Sequence, residues 1–215
     1  MAFLLRVELP DVPGSLGALA SALGAAGADI DAIEIVEHRA DGVAVDDVLC
    51  ELPASVQPDA LVSACHRLPG VQVLWVSRYT AAASLQLDLE AVETLTERPA
   101  AAVRRLAEVV PATFRCDWAL VLRPASDPSA PVIVVGASGA APEPVPEAKT
   151  WLRGDRPTRL PEVTAWPDTL LGAAPLRDTD AYVVLGRRGG PELLDSELAR
   201  LGHLAALAAS ISAAG

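Results

Sequence analysis

The stretch from Leu9 to Leu16 combines the residue types that a loop needs to hold an anion. It reads Leu-Pro-Asp-Val-Pro-Gly-Ser-Leu and lies between an alternating apolar pattern and a helical one. Pro13 lacks an amide hydrogen and suits the first position of a helix, with Asp11 or Val12 next to the cap. Gly14 leaves the backbone bare at the helix N-terminus, where amides and the helix dipole favour a group such as a ligand carboxylate. These residues predict either a binding loop or only a tight strand-to-helix connection.

The other residues that could do chemistry are scattered along the chain. The three cysteines and the three histidines lack the closely spaced pairs that zinc sites use. The sequence has no Gly-x-Ser-x-Gly elbow and no Walker-type phosphate loop. Asp46 and Asp47 are neighbours on a predicted strand, so their side chains point to opposite faces and cannot share a proton. We therefore predict no catalytic residue, no metal site and no cofactor, with an unrecognised enzyme assembled from distant residues as the alternative.

Composition narrows the class of protein. The chain has 215 residues, which suits two small domains better than one, and 51% of them are hydrophobic. The formal net charge of -11 and the single lysine, Lys149, argue against a nucleic-acid partner, because a phosphate backbone requires clustered basic residues. No apolar run reaches the length of a spanning helix, and no targeting peptide is visible. We expect a cytoplasmic protein with no nucleic-acid or membrane partner.

Periodicity in the first eighty residues predicts six elements. Leu5, Val7 and Leu9 alternate with Arg6 and Glu8, as in a strand with one buried face. The order of the predicted elements is βαββαβ, which forms a two-layer sandwich with both helices on one face of the sheet. The strands are centred on 5–9, 28–36, 47–52 and 71–79, and the helices on 16–23 and 58–68.

This first region, from residue 1 to about residue 80, resembles the ACT domain, a small regulatory module of amino-acid metabolism. The resemblance lies in the apolar strand that leads into Asp11-Val12-Pro13-Gly14-Ser15-Leu16, in the helix that follows, and in Gly27-Ala28-Asp29-Ile30 before the second strand. It implies a ferredoxin-like sandwich that pairs with a second copy and binds a small molecule, often an amino acid, at the dimer seam.

The resemblance also implies the site residues. They belong to the first strand-to-helix loop of one copy and to the start of the second strand of its partner, and they are Asp11, Val12, Pro13, Gly14, Ser15, Leu16, Asp29 and Ile30. Amino-acid-binding members often carry asparagine where Asp11 and Asp29 stand, and an amide can donate to a carboxylate whereas an aspartate cannot. Two carboxylates favour the ammonium end of a zwitterion, a cation, or no ligand. The acidic residues Asp29, Asp31, Glu34 and Glu37 are equally typical of a solvated strand edge.

Residues 84–215 predict a second α/β domain after the connector Thr80–Ala83. A leading helix carries Leu85, Leu89, Val92 and Leu95, Pro99 interrupts it, and the last helix has an apolar surface wide enough to pack on the first helix or on a partner chain. Buried strands are predicted at 118–122, 131–135, 170–175 and 181–186, with a loop over 136–146.

The order of elements in this second region resembles a GAF-type domain. Pro175-Leu176 and the predicted Gly-Arg-Arg-Gly-Gly turn at 186–190 carry the resemblance, although no cyclic-nucleotide signature and no chromophore-attachment cysteine is present. The resemblance implies a sensor and dimerisation module with an open ligand identity.

Together these patterns predict a non-catalytic regulatory homodimer. It would sense a small metabolite, an amino acid or a related compound, at the ACT dimer interface and relay binding through the GAF-like domain. The alternatives are a dimerisation or protein-interaction module without a ligand, and an unrecognised enzyme.

Overall fold

The computed structural model describes residues 1–78, 84–127 and 129–215, and it has a mixed α+β architecture with two antiparallel sheets. The described residues form two compact units, one before residue 79 and one from Ser84 onward. The predicted end of the fourth strand at Tyr79 and the predicted connector Thr80–Ala83 lie outside the described residues.

The first unit has the predicted βαββαβ order. Its four strands form a sheet in the order β2-β3-β1-β4, which leaves β2 and β4 at the edges. The elements are β1 Ala2–Pro10, α1 Ser15–Ala25, β2 Asp29–His38, β3 Val43–Glu51, α2 Asp59–His66 and β4 Gln72–Arg78. The Asp-Gly turn at 41–42 joins β2 to β3 as predicted, with Gly42 at φ 82° and the amide of Arg39 donating to the carbonyl of Val43 at 2.8 Å.

One face of this sheet packs against both helices. Alternate residues of β1 and β3 meet the apolar sides of α1 and α2, and together they form a single buried core: Phe3, Leu5, Val7, Leu9, Leu19, Leu23, Ala44, Val48, Cys50, Leu52, Leu61, Ala64 and Cys65. The alternation that predicted β1 therefore identified its helix-facing side correctly.

The opposite face differs from the predicted polar exterior. Arg6 is only 3% exposed and Asp47 only 1%, and Leu4, Val45 and Leu49 on the same face are buried as well. The reason that Arg6 tolerates this burial is a pair of charge-assisted hydrogen bonds with Asp47, which is its register partner on β3.

The start of α1 also differs from the prediction. Pro13 does not occupy the first helical position, because the helix begins at Ser15 and Gly14 is its N-cap residue. Gly14 has φ 95°, a left-handed conformation that a residue without Cβ adopts at little cost, so the turn closes one residue later than predicted. The predicted stop of α1 at Gly27 is confirmed, since the helix ends at Ala25 and Gly27 has φ 93°.

The second unit places a five-stranded sheet against three long helices. The strand order is β6-β5-β9-β8-β7. The elements are α3 Ser84–Thr96, a 3₁₀ turn Pro99–Ala101, α4 Ala102–Phe114, β5 Trp118–Arg123, β6 Ile133–Ala137, α5 Ala148–Trp151, β7 Thr158–Leu160, β8 Thr169–Pro175, β9 Tyr182–Arg188 and α6 Asp195–Ala214. The predicted interruption at Pro99 is confirmed.

Both faces of this second sheet are covered. One face packs on α3, α4 and α6, and the other face, which carries Trp118 of β5, packs under an irregular layer that contains Trp151 and Trp166. The ring of Trp166 lies 5.0 Å from that of Trp118 and 5.8 Å from that of Trp151. Gly186 is necessary for this packing, because a Cβ there would lie 2.1 Å from the Trp118 ring.

Several predictions for the second unit are wrong in detail. The strand predicted as buried at 131–135 is the edge strand β6 at 133–137, where Ile133 and Val134 stay 36% and 43% exposed. Leu89, placed on the apolar side of α3, is 57% exposed, whereas Leu95 is fully buried. The short elements α5 and β7 were not predicted.

The predicted turn at 186–190 begins as a strand. Gly186, Arg187 and Arg188 are the last residues of β9, and the chain turns only at Gly189, which has φ 57°.

The terminal helix α6 is the longest described element, with 20 residues. It packs on α4 and also reaches α3, where Nε of Arg200 lies 3.4 Å from Oδ1 of Asp88, as its wide apolar surface predicted. No helix among the described residues combines the length and the apolar character that crossing a membrane requires.

Candidate functional site

The predicted binding loop is an exposed turn whose backbone is tied to the β2–β3 hairpin. The amide of Asp11 donates to the carbonyl of Gly42 at 2.8 Å, which ties the loop to the β2–β3 hairpin. Asp11, Val12, Pro13 and Gly14 are all exposed, and Ser15 and Leu16 are half-buried where α1 starts. Val12 is 59% exposed, so its side chain is available to contact a bound group.

The N-terminus of α1 carries no side-chain cap. The first i→i−4 bond of the helix runs from the amide of Ala18 to the carbonyl of Gly14 at 2.9 Å, so the amides of Leu16 and Gly17 have no partner within the helix. A Cβ on Gly14 would meet nothing within 4 Å. The helix end is therefore open to a group that approaches the loop from outside, and its dipole favours an anion there.

The structure does not bring Asp29 and Ile30 to this loop within one chain. Asp29 pairs with Glu51, which in turn pairs with Ala2, whereas the loop follows Pro10 at the other end of β1. Eight residues of strand separate the two ends, or about 27 Å. Ile30 packs on the core of the first unit, and Asp29 is exposed at the start of the edge strand.

The end of β2, not its start, meets the loop. Nδ1 of His38 lies 2.8 Å from Oδ2 of Asp11, and because a carboxylate oxygen accepts, the imidazole donates this hydrogen bond. Their side chains are 61% and 43% exposed. His38 was not predicted as a site residue.

Asp46 is the second residue that the sequence did not assign to the site. It lies on the helix-facing side of β3, between Val7 of β1 and Ile35 of β2. The residue is 1% exposed, and its Oδ1 has no hydrogen-bond partner among the residues that the structure describes. Burial raises the pKa of this carboxyl; the charge of His38 opposes the increase, and Asp11 and Asp47 add to it.

The neighbouring Asp47 has the opposite environment. Nε of Arg6 donates to its Oδ1 at 2.7 Å, and Nη2 of Arg6 donates to its Oδ2 at 2.9 Å. The predicted placement of Asp46 and Asp47 on opposite faces of one strand is confirmed. The consequence is that Asp47 is paired in a bidentate contact. Asp46 lies on the helix-facing side of the sheet, and its Oδ1 has no hydrogen-bond partner among the described residues.

The acidic residues of β2 lie along a sheet edge, which agrees with the solvated-edge alternative. Asp29 and Asp31 are exposed, and Glu34 and Glu37 are half-buried. Arg39 pairs with Glu8 across the sheet, and its Nε is 3.8 Å from Glu37. Charged side chains are typical of solvated strand edges.

The three cysteines are free thiols. Cys50 and Cys65 are buried in the core of the first unit, and burial raises the pKa of each to about 11. Cys116 is half-buried in the second unit, and burial raises its pKa to about 12. Thiols with such pKa values stay protonated at neutral pH and are poor nucleophiles.

In the second unit, a cavity of about 290 Å³ lies beside the only lysine of the chain. Lys149 and Arg153 contribute its cationic groups, and Asp127 contributes a carboxylate. Nζ of Lys149 donates to the carbonyl of Ser129 at 2.9 Å. Hydrogen bonds from Ser129 hold the pKa of Asp127 below its usual range.

A buried ion pair between Arg187 and Glu197 links three elements of the second unit. Nη2 of Arg187 lies 2.6 Å from Oε1 of Glu197 and also donates to the carbonyl of Phe114 at 2.7 Å. Oε2 of Glu197 accepts the amide of Leu194 at 2.9 Å, which caps α6. The pair therefore joins β9, the end of α4 and the start of α6, and its role is structural.

Within the described ranges, no three His, Cys, Asp or Glu side chains are grouped so that they could hold a metal ion. The first unit offers groups for non-covalent binding: a helix N-terminus without a side-chain cap for an anionic group, and the carboxylates of Asp11 and Asp46 for a cationic one.

The first unit is an α+β sandwich with a four-stranded antiparallel sheet in the order β2-β3-β1-β4 and both helices on one face. Residues 3–68 match the model of the ACT domain family. The match covers less than a third of the chain and suggests a ligand-sensing regulatory role for this unit. The predicted GAF-like domain has no support from a family model and stays a prediction.

Comparison with whole proteins adds little. No curated protein matches the chain. A formyltetrahydrofolate deformylase from Pseudomonas putida KT2440 aligns with a TM-score of 0.31 and 11% identity over 43% of this chain and 36% of the deformylase. An unknown protein from Galdieria sulphuraria aligns with a TM-score of 0.33 and 18% identity over 59% of this chain and 73% of that protein. Both TM-scores are low, and nothing about function follows from either structure.

Proposed function

We propose that the chain is a non-catalytic regulatory protein that binds a small metabolite, an amino acid, at the loop between β1 and α1. The observation that carries the proposal is the open start of α1, where Gly14 replaces a capping side chain and the amides of Leu16 and Gly17 precede the first helical hydrogen bond. A carboxylate placed there gains hydrogen bonds and a favourable interaction with the helix dipole. The ACT family match over residues 3–68 supports the same role.

The proposed site is completed by a second copy of the chain. Asp29 and Ile30 lie about 27 Å from the loop of their own chain, at the other end of the sheet. They can contribute only if a partner chain presents them, so the proposal includes a homodimer in which β2 of one copy faces the loop of the other.

The second unit is proposed to relay the binding event. Its order of elements, with leading helices, two strands, an irregular region, a strand pair and a terminal helix, is the order on which the GAF-like prediction rests. Each face of its sheet packs against a hydrophobic core, so a shift of the sheet would be felt in both cores.

A thermal-unfolding screen with the twenty amino acids tests the binding proposal. A ligand that binds only the folded protein raises Tm in proportion to the logarithm of its concentration. We expect at least one amino acid to stabilise the wild-type chain, and Gly14→Val to abolish the shift without unfolding the protein, because the new side chain obstructs the helix end.

The matched control is Gly154→Val, in the second unit. Gly154 has φ 94° and open space around it, so the substitution introduces the same backbone strain as at Gly14, where φ is 95°. It should leave the ligand-induced shift unchanged. Absence of a Tm shift with all twenty amino acids would contradict the proposal, as would a monomer in sedimentation at micromolar concentration for the dimer.

One observation favours the alternative of a dimerisation module without a ligand. The edge strand β6 leaves Ile133 and Val134 exposed, and apolar side chains on an unpaired edge are a surface on which another chain can pack. Under this alternative, Ile133→Lys with Val134→Lys would convert a dimer to a monomer in sedimentation, whereas under the main proposal the dimer would persist.

A further inference from the structure

Asp46 has a buried carboxyl group, one oxygen of which has no hydrogen-bond partner among the described residues. The residue is 1% exposed, and its Oδ1 accepts no hydrogen bond from any described residue. A buried carboxylate without a partner is costly, so proteins seldom retain one where a neutral side chain would fit. A ligand group that donates a hydrogen bond to this oxygen would offset that cost.

The strand register places Asp46 next to the binding loop. The neighbouring row of the sheet runs from Leu9 through Ala44 to His38. Because diagonal neighbours on one face are about 7–8 Å apart, Asp46 and His38 lie close together. His38 in turn contacts Asp11, so Asp46 lies beneath the Asp11–His38 contact.

The edge strand beside Asp46 is exposed, although Asp46 itself is covered. Ile35, the register partner of Asp46 on β2, is 48% exposed, so the helix layer does not extend over it. The side chains of His38 and Asp11 are 61% and 43% exposed, and they can separate by changing rotamer without any change in the core. Separation of these two side chains would remove the contact that lies nearest to Asp46 on this side of the sheet.

We infer that Asp46 and Asp11 bind the ammonium group of the ligand, which displaces His38 from Asp11. This inference rests on the proposed function and specifies the ligand class as a primary ammonium compound, with an apolar remainder that contacts Val12 and Ile35. An ammonium group has three donors and no acceptor, so two carboxylates with free lone pairs match it. If the ligand is an amino acid, its carboxylate reaches the amides at the start of α1 and its ammonium group reaches Asp46.

The inference is tested on the full chain with Asp46→Asn and with Asp59→Asn as the matched control. Both substitutions remove one negative charge from the first unit. Asp59 is exposed in the first turn of α2, which follows the Glu51 end of β3, whereas the loop follows the opposite end of the sheet. Asp46→Asn should have a Tm at or above that of the wild type, so that a loss of binding is not a loss of folding.

The probes are the twenty amino acids. For each amino acid that binds, two analogues are also tested: the amine that lacks the carboxylate and the acid that lacks the ammonium group. For leucine these analogues are 3-methylbutylamine and 4-methylpentanoate. Ethylamine and the chlorides of sodium, potassium and calcium are tested in every case. Kd is measured by calorimetry. We expect the amino acid and its amine to bind the wild type and the acid not to bind. Asp46→Asn should weaken both by at least about tenfold, the effect of losing one charged hydrogen bond, and Asp59→Asn should not.

The possible failures are distinguishable. If an amino acid binds but Asp46→Asn leaves its Kd within about threefold, or if the acid binds as well as the amino acid, the inference is overturned and the proposed function stands. If amines bind through Asp46 but no amino acid does, the inference stands and the proposed function fails. Binding of an inorganic cation alone, or of no probe, overturns both.

Discussion

Two adjacent aspartates on β3 experience opposite environments on the two faces of one sheet. Asp47 and Arg6 are both nearly inaccessible and share two hydrogen bonds of 2.7 and 2.9 Å. Asp46, one residue earlier, is as deeply buried, but its Oδ1 has no partner among the described residues, and its pKa is raised by burial.

The difference separates structural burial of charge from burial that serves another purpose. A buried carboxylate with a bidentate guanidinium partner contributes to a defined packing arrangement, and the cost of its burial is offset within the fold. A buried carboxylate without such a partner destabilises the ligand-free protein. The helix-facing side of the sheet, which carries Asp46, therefore has a stability cost that the opposite side does not have. Such a cost is typical of binding sites.

The largest expected effect on the free energy of unfolding is on the side of the sheet that carries the Arg6–Asp47 pair. Arg6→Met leaves Asp47 buried without its guanidinium partner, which should lower the free energy of unfolding by about 3–5 kcal/mol. Urea denaturation measures this change. Arg39→Met is the control, because Arg39 pairs with Glu8 and Glu37 while 32% exposed, and it should cost less than about 1 kcal/mol. An equal, small loss in both variants would show that the Arg6–Asp47 pair is not special.

The next prediction removes both members of the pair. Arg6→Met with Asp47→Leu replaces two buried charges by apolar side chains of similar size, and such replacements are often neutral or stabilising. We expect the double variant to unfold within about 1 kcal/mol of the wild type. A double variant no more stable than Arg6→Met alone would mean that the cost of the single change comes from lost packing and not from an unpaired charge.

On the helix-facing side of the sheet, removal of a buried charge should change the free energy of unfolding in the opposite direction. Asp46→Asn removes a buried charge whose Oδ1 has no hydrogen-bond partner among the described residues, and it should raise the free energy of unfolding of the ligand-free protein by about 1 kcal/mol at pH 7. Asp47→Asn, which breaks a charged pair, should lower it. Urea denaturation of the two variants side by side makes the comparison, and destabilisation of both would contradict the assignment of Asp46 to a ligand.

The smallest expected effect is the pH dependence of that stabilisation. The pKa of Asp46 is raised in the folded state, so the folded protein holds this proton more tightly than the unfolded chain does. Its contribution to stability is present below the unfolded pKa of about 3.9 and is lost as pH rises through the higher folded value.

The advantage of Asp46→Asn over the wild type should therefore be close to zero in acid and grow as pH rises, until it reaches a plateau. Thermal unfolding from pH 3 to pH 7 in about half-unit steps gives the curve. An advantage that is constant over this range would show that the side chain's charge is not what costs stability.

The sequence predicted the first unit well because its periodicities are clean. Alternation in β1 and helical spacing in α1 and α2 assign the buried side of each element, and the Asp-Gly pair fixes the hairpin between β2 and β3. The second unit was harder, because its missed elements are only three and four residues long and carry too few side chains to show a period. Strand β6 was misjudged as buried because edge position depends on strand order, which an apolar run does not reveal.

The position of the loop between β1 and α1 was predictable from its own residues, but the first residue of α1 and the side chains that the loop contacts were not. Counting by twos from Ile33 and Ile35 places Glu37 on the helix face and His38 on the opposite one. A bulge between Ile35 and Glu37 shifts the register by one residue, so His38 pairs with Ala44 and faces the helices. The bulge has no clear sequence signature, and without it His38 cannot be assigned to the Asp11 loop.

The central claim is that the open start of α1 and the carboxylates of Asp11 and Asp46 form one ligand site. Amide NMR spectra of the full chain, recorded while an amino acid that raises Tm is added, test this most directly. We expect the largest shift changes at the amides of residues 14–17 and at Asp46 and His38, and we expect them to disappear in Asp46→Asn. Changes confined to residues 84–215, or no changes at all, would contradict the claim.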